Sequence, residues 1–386
     1  MIPYGRQDIS ADDIEAVVAV LRSDFLTQGP AVAGFERTVA EYCGAAHAVA
    51  ANSATSALHL ACAALDLGPG DLLWTVPNTF VASANCARFC GADVDFVDID
   101  PLTRNIGVAA LAEKLETAQK NGRLPKIVVP VDFAGLPCPM AEIRDLADRY
   151  GFAVVEDASH AIGARYRDRP VGCGEWADVT VFSFHPVKII TTGEGGMAMT
   201  RDGRLAERMR RLRAHGITRD AAEMASAPEG PWVYEMLELG WNYRMTDIQA
   251  ALGASQMRRL DAFVERRTAL AERYDERLAG CGLTLPQRAA DARSAWHLYV
   301  VGWNAARSGL TRADAFARLR AAGIGVNVHY IPVHLQPYYR GLGFAPGQFP
   351  AAEAHYAGAI SLPLYAGLSE AQQDRVVDAL RELAGA

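Results

Sequence analysis

Helical and strand-like hydrophobic patterns alternate over the first two thirds of the chain. Residues 11–23 carry apolar side chains every three or four positions after a capping Ser10, which predicts a helix. HAVAAN (47–52) predicts a short strand, and SATSALHLACAAL (53–65) predicts a helix directly after it. Further buried strands are predicted between helix-length segments at WTVP, DVDFVDID, KIVVPVDF and FAVVEDAS. This alternation favours an α/β fold with a mostly parallel central sheet and helices on both faces.

The pattern changes after Met245. Residues 246–278 predict one long helix, which leads into a mixed segment and a closing helix. We therefore predict a large domain over residues 1–250 and a smaller α+β domain over 251–386, with an N-terminal arm of about twelve residues that packs on the small domain. The stretch 221–232 predicts a loop.

Composition and charge exclude several classes of function. The chain has 386 residues, of which 50% are hydrophobic and 22% are charged, as in ordinary globular proteins. A formal charge of −7 argues against nucleic acid as a partner. The basic run Arg208, Arg210, Arg211 and Arg213 predicts a solvated helix face; the alternative is attraction of a diphosphate.

The start of the chain shows no basic and apolar signal pattern, and no apolar stretch is long enough to span a membrane. The seven cysteines form no CxxC pair, so we expect reduced, mostly buried thiols and no metal site. These features predict a cytoplasmic protein without a membrane partner.

Two neighbouring motifs place an acid and a lysine at the ends of predicted strands. VVEDASHAIGA (154–164) contains Asp157 and His160, and VFSFHPVKIITTGEGGM (181–197) contains Ser183 and Lys188. In a parallel sheet both groups would lie at the carboxyl edge, where ligands bind. Taken singly, such a lysine is usually solvated and such an aspartate usually caps a helix. Together they suggest shared chemistry.

An amine that attacks a carbonyl must first lose its proton, and Schiff-base lysines achieve this through partial burial. A pyridine cofactor also needs an anion against its ring nitrogen. Lys188 and Asp157 would supply these two groups. Asn52–Leu58 (NSATSAL) leaves a strand and enters a helix with small residues, so its backbone N–H groups could bind a phosphate. Small polar residues begin many helices, however, so this turn is a weak signal by itself.

Five ordered motifs together resemble the DegT/DnrJ/EryC1/StrS sugar-nucleotide aminotransferases, which are fold type I pyridoxal-phosphate enzymes. The motifs are NSATSALH, PNTFVASAN, VVEDASHAIGA, FSFHPVKIITTGEGG and LGWNYRMTDIQAALG. The opening IPYGRQDIS, the turn FLTQGP and the segment NVHYIPVHLQPYY narrow the similarity to the branch that makes pseudaminic acid. The resemblance covers essentially the whole chain.

The resemblance implies roles for individual cofactor contacts. Lys188 would form the Schiff base and move the proton, and Asp157 would pair with the pyridinium nitrogen. The remaining implied contacts are His160 near that carboxylate or the ring hydroxyl, Phe80 stacked on the ring, Ala54, Thr55 and Ser183 at the phosphate, and Asn242, which reaches the phosphate of the neighbouring subunit's site. Ala54 departs from the family's usual glycine, but the backbone contact should survive a methyl group. The role of His185 stays open.

The resemblance also implies the substrates and the assembly. The amino group would pass from an amino acid, L-glutamate, to C4 of a UDP-linked 4-keto-6-deoxy-N-acetylhexosamine, on the route to pseudaminic acid. The sugar nucleotide would contact Tyr4, the turn Phe25, Leu26 and Thr27, and His329 with Tyr330. The enzyme would be a homodimer with shared active sites.

Three alternatives remain open at this point. The enzyme could act on another nucleotide-linked keto sugar, or it could be a pyridoxal-dependent sugar dehydratase, although the dehydratases of this type carry His where Lys188 stands. A non-enzymatic cofactor-binding regulator would need an effector or DNA-binding module, and none is evident. A nicotinamide dehydrogenase is disfavoured because GEGG (193–196) lacks the GxGxxG spacing.

Overall fold

A seven-stranded sheet forms the centre of the protein. The structure is a computed structural model and describes residues 1–385. The strands in chain order are β1 (His47–Ala51), β2 (Leu72–Thr75), β3 (Asp93–Phe96), β4 (Ile127–Val129), β5 (Ala153–Asp157), β6 (Arg165–Tyr166), β7 (Arg169–Pro170), β8 (Val179–Ser183), β9 (Gly196–Thr200), β10 (Ile217–Thr218), β11 (Glu235–Met236), β12 (Ala292–Arg293), β13 (Tyr299–Gly302) and β14 (Ala359–Leu362). The central sheet has the order β1-β9-β8-β5-β4-β2-β3.

Helices surround this sheet and continue into the C-terminal region. In chain order they are α1 (Ala11–Leu21), α2 (Pro30–Cys43), α3 (Ala54–Ala64), α4 (Ala82–Phe89), α5 (Val108–Lys120), α6 (Met140–Tyr150), α7 (Gly203–Leu212), α8 (Asp247–Met257), α9 (Leu260–Leu278), α10 (Ala305–Ser308), α11 (Arg312–Ala321), α12 (Pro337–Arg340), α13 (Pro350–Gly358) and α14 (Glu370–Ala384). None of the described helices is long and apolar enough to cross a membrane.

The prediction of a mostly parallel sheet is confirmed. Strands β3, β2, β4, β5 and β8 run parallel to one another, and their residues are almost all buried because helices cover the sheet. Strand β9 is the exception, since it pairs antiparallel with both β8 and β1. A hairpin-like return through residues 184–195 therefore replaces the helical crossover that a parallel strand would need.

The single helix predicted over 246–278 is wrong. The structure divides this stretch into α8 and α9, with Arg259 outside the helical region at φ −111° and ψ 3°. The guanidinium of Arg259 binds the carboxylates of Asp8 and Asp13, at 2.7 Å and 2.6 Å. Because α8 packs on α1 and α2 whereas α9 packs on α14, the chain bends between two different surfaces.

A second hydrophobic cluster organises the C-terminal region. The antiparallel pair β13–β14 lies with α11 and α14, and most members of this cluster are buried apolar residues between Leu270 and Ala384. Ile2 belongs to this cluster, because its N–H donates to Gly323 and its carbonyl accepts from Gly325. Residues 333–352, in contrast, contribute apolar side chains to the cluster of the central sheet. The domain boundary near residue 250 stays a prediction.

One buried carboxylate connects α8 to the start of α2. Asp247 is 1% exposed, and its two oxygens accept hydrogen bonds from the N–H groups of Gly29, Ala31 and Val32 at 2.8–3.3 Å. In return, the N–H of Asp247 donates to the carbonyl of Leu26 at 3.0 Å. Asp247 therefore caps α2 and holds the turn that precedes it.

We expect Asp247→Ala to lower the free energy of unfolding by about 2–4 kcal/mol, because it leaves three N–H groups without their acceptor. Urea denaturation would measure the loss. Asp12→Ala, at an exposed position in the first turn of α1, is the matched control and should change stability by no more than about 0.5 kcal/mol. Equal small losses in both variants would contradict the role of Asp247.

Candidate active site

The ends of β5 and β8 lie side by side in the middle of the sheet. Asp157, the last residue of β5, pairs in parallel register with Val181 of β8, which ends two residues later at Ser183. Lys188 follows in the connection to β9, where its N–H donates to the carbonyl of His185 at 2.9 Å. The strand order thus brings the predicted acid and lysine to one edge of the sheet.

Asp157 is a buried carboxylate with two neutral donors. The Ser83 hydroxyl donates to Oδ2 at 2.6 Å, and the Ser159 N–H donates to Oδ1 at 3.1 Å. Asp157 is 5% exposed, and within residues 1–385 no lysine, arginine or histidine nitrogen lies within 4 Å of it. Its charge is therefore oriented but not neutralised, which suits it to hold a cation supplied by a ligand.

Lys188 is partly buried and interacts electrostatically with the carboxylate of Asp157. Burial lowers the pKa of Lys188 to about 8, although the nearby Asp157 carboxylate opposes this shift. A lysine in water has a pKa of about 10.4, so near pH 8 this side chain holds far more free amine than an exposed lysine does. A free amine can attack a carbonyl or accept a proton.

His160 lies close to this pair as a neutral imidazole. The N–H of Ala134 donates to Nδ1 at 3.3 Å, so the ring proton is on Nε2, which donates to the Tyr330 hydroxyl at 3.2 Å. Burial, and then the charge of Lys188, holds the pKa of His160 well below its usual range. No hydrogen bond within residues 1–385 joins His160 to Asp157, so the predicted support for that carboxylate is not a direct contact.

The turn at the start of α3 lies against the same edge. Ser53 caps the helix by accepting from the Ser56 N–H at 3.1 Å, which leaves the N–H groups of Ala54 and Thr55 in the open first turn. Gly196 of β9 pairs with Ser183, and a Cβ on Gly196 would lie 2.5 Å from the Ala54 nitrogen. The missing side chain lets strand and helix approach closely, so Ser183 and the open N–H groups are brought together.

Phe80 is not a core residue. It lies in the turn before α4, is 59% exposed, and has its ring centroid 6.5 Å from that of Tyr330. An aromatic ring left open beside buried polar groups offers a surface on which a flat ligand can stack.

Segments from both ends of the chain reach Lys188. The ring of Tyr4 lies 5.8 Å from that of His329, and the carbonyl of Tyr4 accepts from the Leu364 N–H. His329 pairs with the Ser361 hydroxyl at 2.7 Å. Burial, and then the charge of Lys188, lowers the pKa of His329 to about 3, so this imidazole is neutral as well.

The predicted turn Phe25–Thr27 and the predicted Asn242 lie apart from the residues around Asp157 and Lys188. Phe25 and Leu26 are half-exposed on the turn held by Asp247, and Thr27 forms a bridge with Thr246. Asn242 is exposed and bridges to Ala214. In the described part of the chain, no hydrogen bond or ring contact joins these residues to Asp157 or Lys188.

Sequence reasoning missed Ser83 and His297. Ser83 lies one helical turn after Phe80 in the motif PNTFVASAN, so its position on the strand-facing side of α4 was the available signal. His297, whose ring lies 4.4 Å from that of His160, comes from the C-terminal region, and no local pattern places it there.

The arginines of the basic run 208–213, in α7 and directly after it, bind carboxylates of this chain, which supports a structural role rather than attraction of a diphosphate. The pairs are Arg208 with Asp66 and Glu238, Arg210 with Glu207, Arg211 with Glu223 and Glu238, and Arg213 with Glu36. His185 is exposed, and the structure gives its side chain no further role.

A model of the DegT/DnrJ/EryC1/StrS aminotransferase family matches residues 7–381. The chain belongs to this family. Among curated relatives, the spore coat polysaccharide biosynthesis protein SpsC of Bacillus subtilis is 40% identical over 385 residues, covering 99% of this chain and 97% of the relative. The UDP-4-amino-4-deoxy-L-arabinose–oxoglutarate aminotransferase of Shewanella sediminis is 36% identical, covering 100% and 98%.

Solved structures agree with this membership. The pyridoxal-phosphate form of the sugar aminotransferase Spr1654 from Streptococcus pneumoniae superposes with a TM-score of 0.88 at 30% identity, covering 100% of this chain and 98% of that one. PseC of Helicobacter pylori, described as an aminotransferase of pseudaminic acid biosynthesis, gives 0.90 at 30% identity, with coverage of 100% and 99%. The protein is therefore a pyridoxal-phosphate-dependent sugar aminotransferase of fold type I, and the family resemblance is confirmed.

The residues at the sheet edge fit pyridoxal phosphate. The cofactor carries a ring nitrogen, an aldehyde and a phosphate. The site offers an oriented carboxylate at Asp157, a partly neutral amine at Lys188, and open N–H groups at the start of α3, where Gly196 leaves no side chain in the way.

We expect the lowered pKa of Lys188 to be measurable in the apoprotein. Because only the free amine reacts, acylation of Lys188 by an amine reagent should speed up about tenfold per pH unit up to pH 8 and then level off. Mass spectrometry of the modified peptide would follow the rate, with Nα-acetyl-lysine as the reference. A rate for Lys188 that still rises tenfold per unit from pH 9 to 10 would contradict the assignment.

Proposed function

We propose that this enzyme transfers the amino group of L-glutamate to C4 of a UDP-linked 4-keto-6-deoxy-N-acetylhexosamine, on the route to pseudaminic acid. One observation carries the proposal. The buried carboxylate of Asp157 ends β5, and Lys188, whose pKa is lowered, lies in the connection that follows the neighbouring strand β8. The likeness to PseC supports the sugar, and the name of the Shewanella relative supports UDP and the glutamate–oxoglutarate pair.

The cofactor is held by three groups of residues in this proposal. Asp157 pairs with the ring nitrogen, and Ser83 and Ser159 keep the carboxylate turned toward it. Phe80 covers one face of the ring. The phosphate is bound by Ala54, Thr55 and Ser183, and His160 stands near the ring beside Tyr330.

Lys188 carries the proton transfer. Pyridoxal phosphate, when bound, supplies an aldehyde that receives the amino group and a ring that stabilises negative charge on the neighbouring carbon. The free amine of Lys188 removes the proton from the α-carbon of the amino acid and later returns a proton at C4 of the sugar. A pKa near 8 suits both directions, because the side chain changes protonation state easily at neutral pH.

The sugar nucleotide contacts residues from both ends of the chain. We assign its binding to Tyr4, His329 and Tyr330, which line the approach to Lys188. We also assign the turn Phe25–Thr27 to the sugar nucleotide, although it lies apart from these residues within one chain; its exposed apolar side chains are Phe25 and Leu26. Because His329 is neutral, it can orient a hydroxyl or a carbonyl without attracting the diphosphate.

The active enzyme is a homodimer in this proposal. Large apolar side chains are exposed along residues 232–239, and a patch of this kind marks a protein interface; they are Trp232, Tyr234, Met236, Leu237 and Leu239. Asn242 follows directly and is exposed, so it is free to reach the phosphate in the neighbouring subunit's site. The seven unpaired cysteines support a reducing compartment, the cytoplasm.

Another nucleotide-linked keto sugar is the second candidate substrate. The relatives SpsC and the Shewanella enzyme are more similar in sequence than PseC is; the name of the first refers to a spore coat polysaccharide and that of the second to an amino-arabinose. The dehydratase alternative is disfavoured by Lys188 itself, because deoxygenation in this scaffold is associated with His at that position.

The substrate is tested by incubating the holoenzyme with glutamate and a panel of UDP- and dTDP-linked keto sugars. We expect a new amine at C4 of the UDP-linked N-acetyl sugar, identified by mass spectrometry and NMR, and loss of at least about 10⁴-fold in Lys188→Ala, which should also lack the visible band of the bound cofactor. Lys120→Ala, on the surface, should behave as wild type. A deoxygenated product, or normal turnover by Lys188→Ala, would contradict the proposal.

The shared site is tested by mixing two inactive variants. In a dimer of Lys188→Ala with Asn242→Ala, one site carries both changes and the other carries neither, provided that Asn242 acts across the interface. Random exchange of subunits should therefore restore about a quarter of wild-type activity. Mass spectrometry would verify the exchange, and absence of recovery in verified mixed dimers would contradict the role of Asn242.

A further inference from the structure

Two buried acidic residues, Asp132 and Glu156, form a pair on the opposite face of the sheet from Asp157. Side chains alternate along a strand, so Glu156 and Asp157 point to opposite faces. Val131, just beyond β4, bridges in parallel to Asp157, which places the next residue, Asp132, on the face of Glu156. Asp132 is fully buried and Glu156 is 5% exposed.

One carboxyl oxygen of this pair lacks a hydrogen-bond donor. Thr180 donates its hydroxyl to Glu156 Oε2 at 2.7 Å, and the N–H of Cys138 donates to Asp132 Oδ1 at 2.8 Å. The other oxygen of Asp132 has no donor among the described groups, and the neighbouring side chain on the same face of the next strand is the carboxyl of Glu156. A carboxylate cannot donate a hydrogen bond, so these two carboxyls can hydrogen-bond to each other only when one of them carries a proton.

The surroundings give the pair no cation. No lysine, arginine or histidine of residues 1–385 forms an ion pair with either carboxyl. The titratable groups around them are the thiols of Cys43, Cys138 and Cys173, the hydroxyl of Tyr166 and, on the other face of the sheet, Asp157. Burial raises the pKa of each of these thiols, which are therefore neutral. Two full negative charges at this place would be uncompensated.

The protonation behaviour agrees with this geometry. Burial, and then the charge of Asp157, raises the pKa of Glu156 to about 7. Burial, and then the charge of Glu156, raises the pKa of Asp132 well above its usual range. Both carboxyls are therefore easier to protonate than they would be in water, which is what a hydrogen bond between them requires.

We propose that Asp132 and Glu156 share one proton at neutral pH and that this carboxyl–carboxylate pair is a positioning element for Asp157. The inference rests on the role of Asp157 proposed above. The pair fixes the end of β5, and its remaining negative charge stands behind Asp157, where it favours a protonated ring nitrogen on the cofactor.

Backbone contacts connect the pair to the position of Asp157. The N–H of Asp132 donates to the carbonyl of Asp157 at 3.1 Å, and the N–H of Asp157 donates to the carbonyl of Pro130 at 2.9 Å. The shared proton joins the side chains of the same two segments. Asp157 is therefore held by its own backbone hydrogen bonds and by the side chain of Glu156, the preceding residue. Displacement of the Asp132–Glu156 pair would turn the Asp157 carboxylate away from the ligand.

Two variants separate the proton from the charge. In Glu156→Gln the amide donates to Asp132, which then ionises, so the pair keeps one negative charge but holds no shared proton. In the double variant Asp132→Asn with Glu156→Gln the shape remains and the charge is gone. Asp132→Asn alone repeats the first design, should Glu156→Gln fail to fold.

The shared proton is tested in the apoprotein, without the cofactor. Because both folded pKa values are raised, the protonated pair contributes its full stability below about pH 4, and this contribution declines as the pH rises, for Glu156 until about pH 7. From pH 5 to 7 the unfolding constant of the wild type, divided by that of Glu156→Gln, should rise about tenfold or more per pH unit. Urea denaturation gives these constants. A ratio independent of pH would overturn the shared proton.

A second measurement needs no comparison of stabilities. The infrared spectrum of the wild type at pH 7 should contain the C=O band of a buried carboxylic acid, and this band should be missing from both single variants. A wild-type spectrum without the band, or a band that persists in both variants, would overturn the shared proton as well.

The effect on the cofactor is tested with pyridoxal phosphate and with its analogue in which carbon replaces the ring nitrogen. The double variant should bind pyridoxal phosphate roughly three- to tenfold more weakly than Glu156→Gln does, and the two should bind the analogue equally. Equal losses for both ligands would show a merely structural role and overturn the positioning of Asp157. The urea and infrared measurements on the apoprotein test the shared proton independently of cofactor binding and of the identity of the sugar substrate.

Discussion

Asp157 carries a negative charge where water hardly reaches, at the end of the central strand of a seven-stranded sheet. Ser83 and Ser159 orient the carboxylate but bring no positive charge, so the carboxylate attracts any cation that lies next to it. Lys188 is the group of this chain that feels this attraction, while its own burial favours the neutral amine. The balance between burial and attraction leaves Lys188 able to be an amine or an ammonium near neutral pH.

The imidazoles around this pair contribute by remaining uncharged. Burial, together with the charge of Lys188, lowers the pKa values of His160, His297 and His329. Neutral rings do not compete with Lys188 for the Asp157 charge, and they can still donate or accept hydrogen bonds, as His160 does with Tyr330. The proposed proton transfer thereby falls to Lys188 alone, and His297 and His329 bring no charge from the C-terminal region.

The sequence predicted the parts of the site that lie at strand ends. Asp157, Ser183 and the turn before α3 follow short apolar runs, and parallel strands bring such ends to one edge. Contacts made across long sequence separation left no local signal: Tyr330 reaches His160 from 170 residues away. The bend at Arg259 was missed for a similar reason, because its helical pattern continues while distant carboxylates and two different packing surfaces decide where the helix ends.

The alternation of side chains along β5 has a consequence for the whole active site. A strand buried on both faces normally presents apolar residues to each, yet β5 ends with a carboxyl on either side. On the cofactor face the charge of Asp157 is useful because a ligand compensates it. On the other face Glu156 lies beside Asp132 without a cation, and the proton that we propose they share lowers the charge there. In the proposed assignments, the same physical demand, a partner for each buried carboxyl, is met by the cofactor on one face and by a second carboxyl on the other.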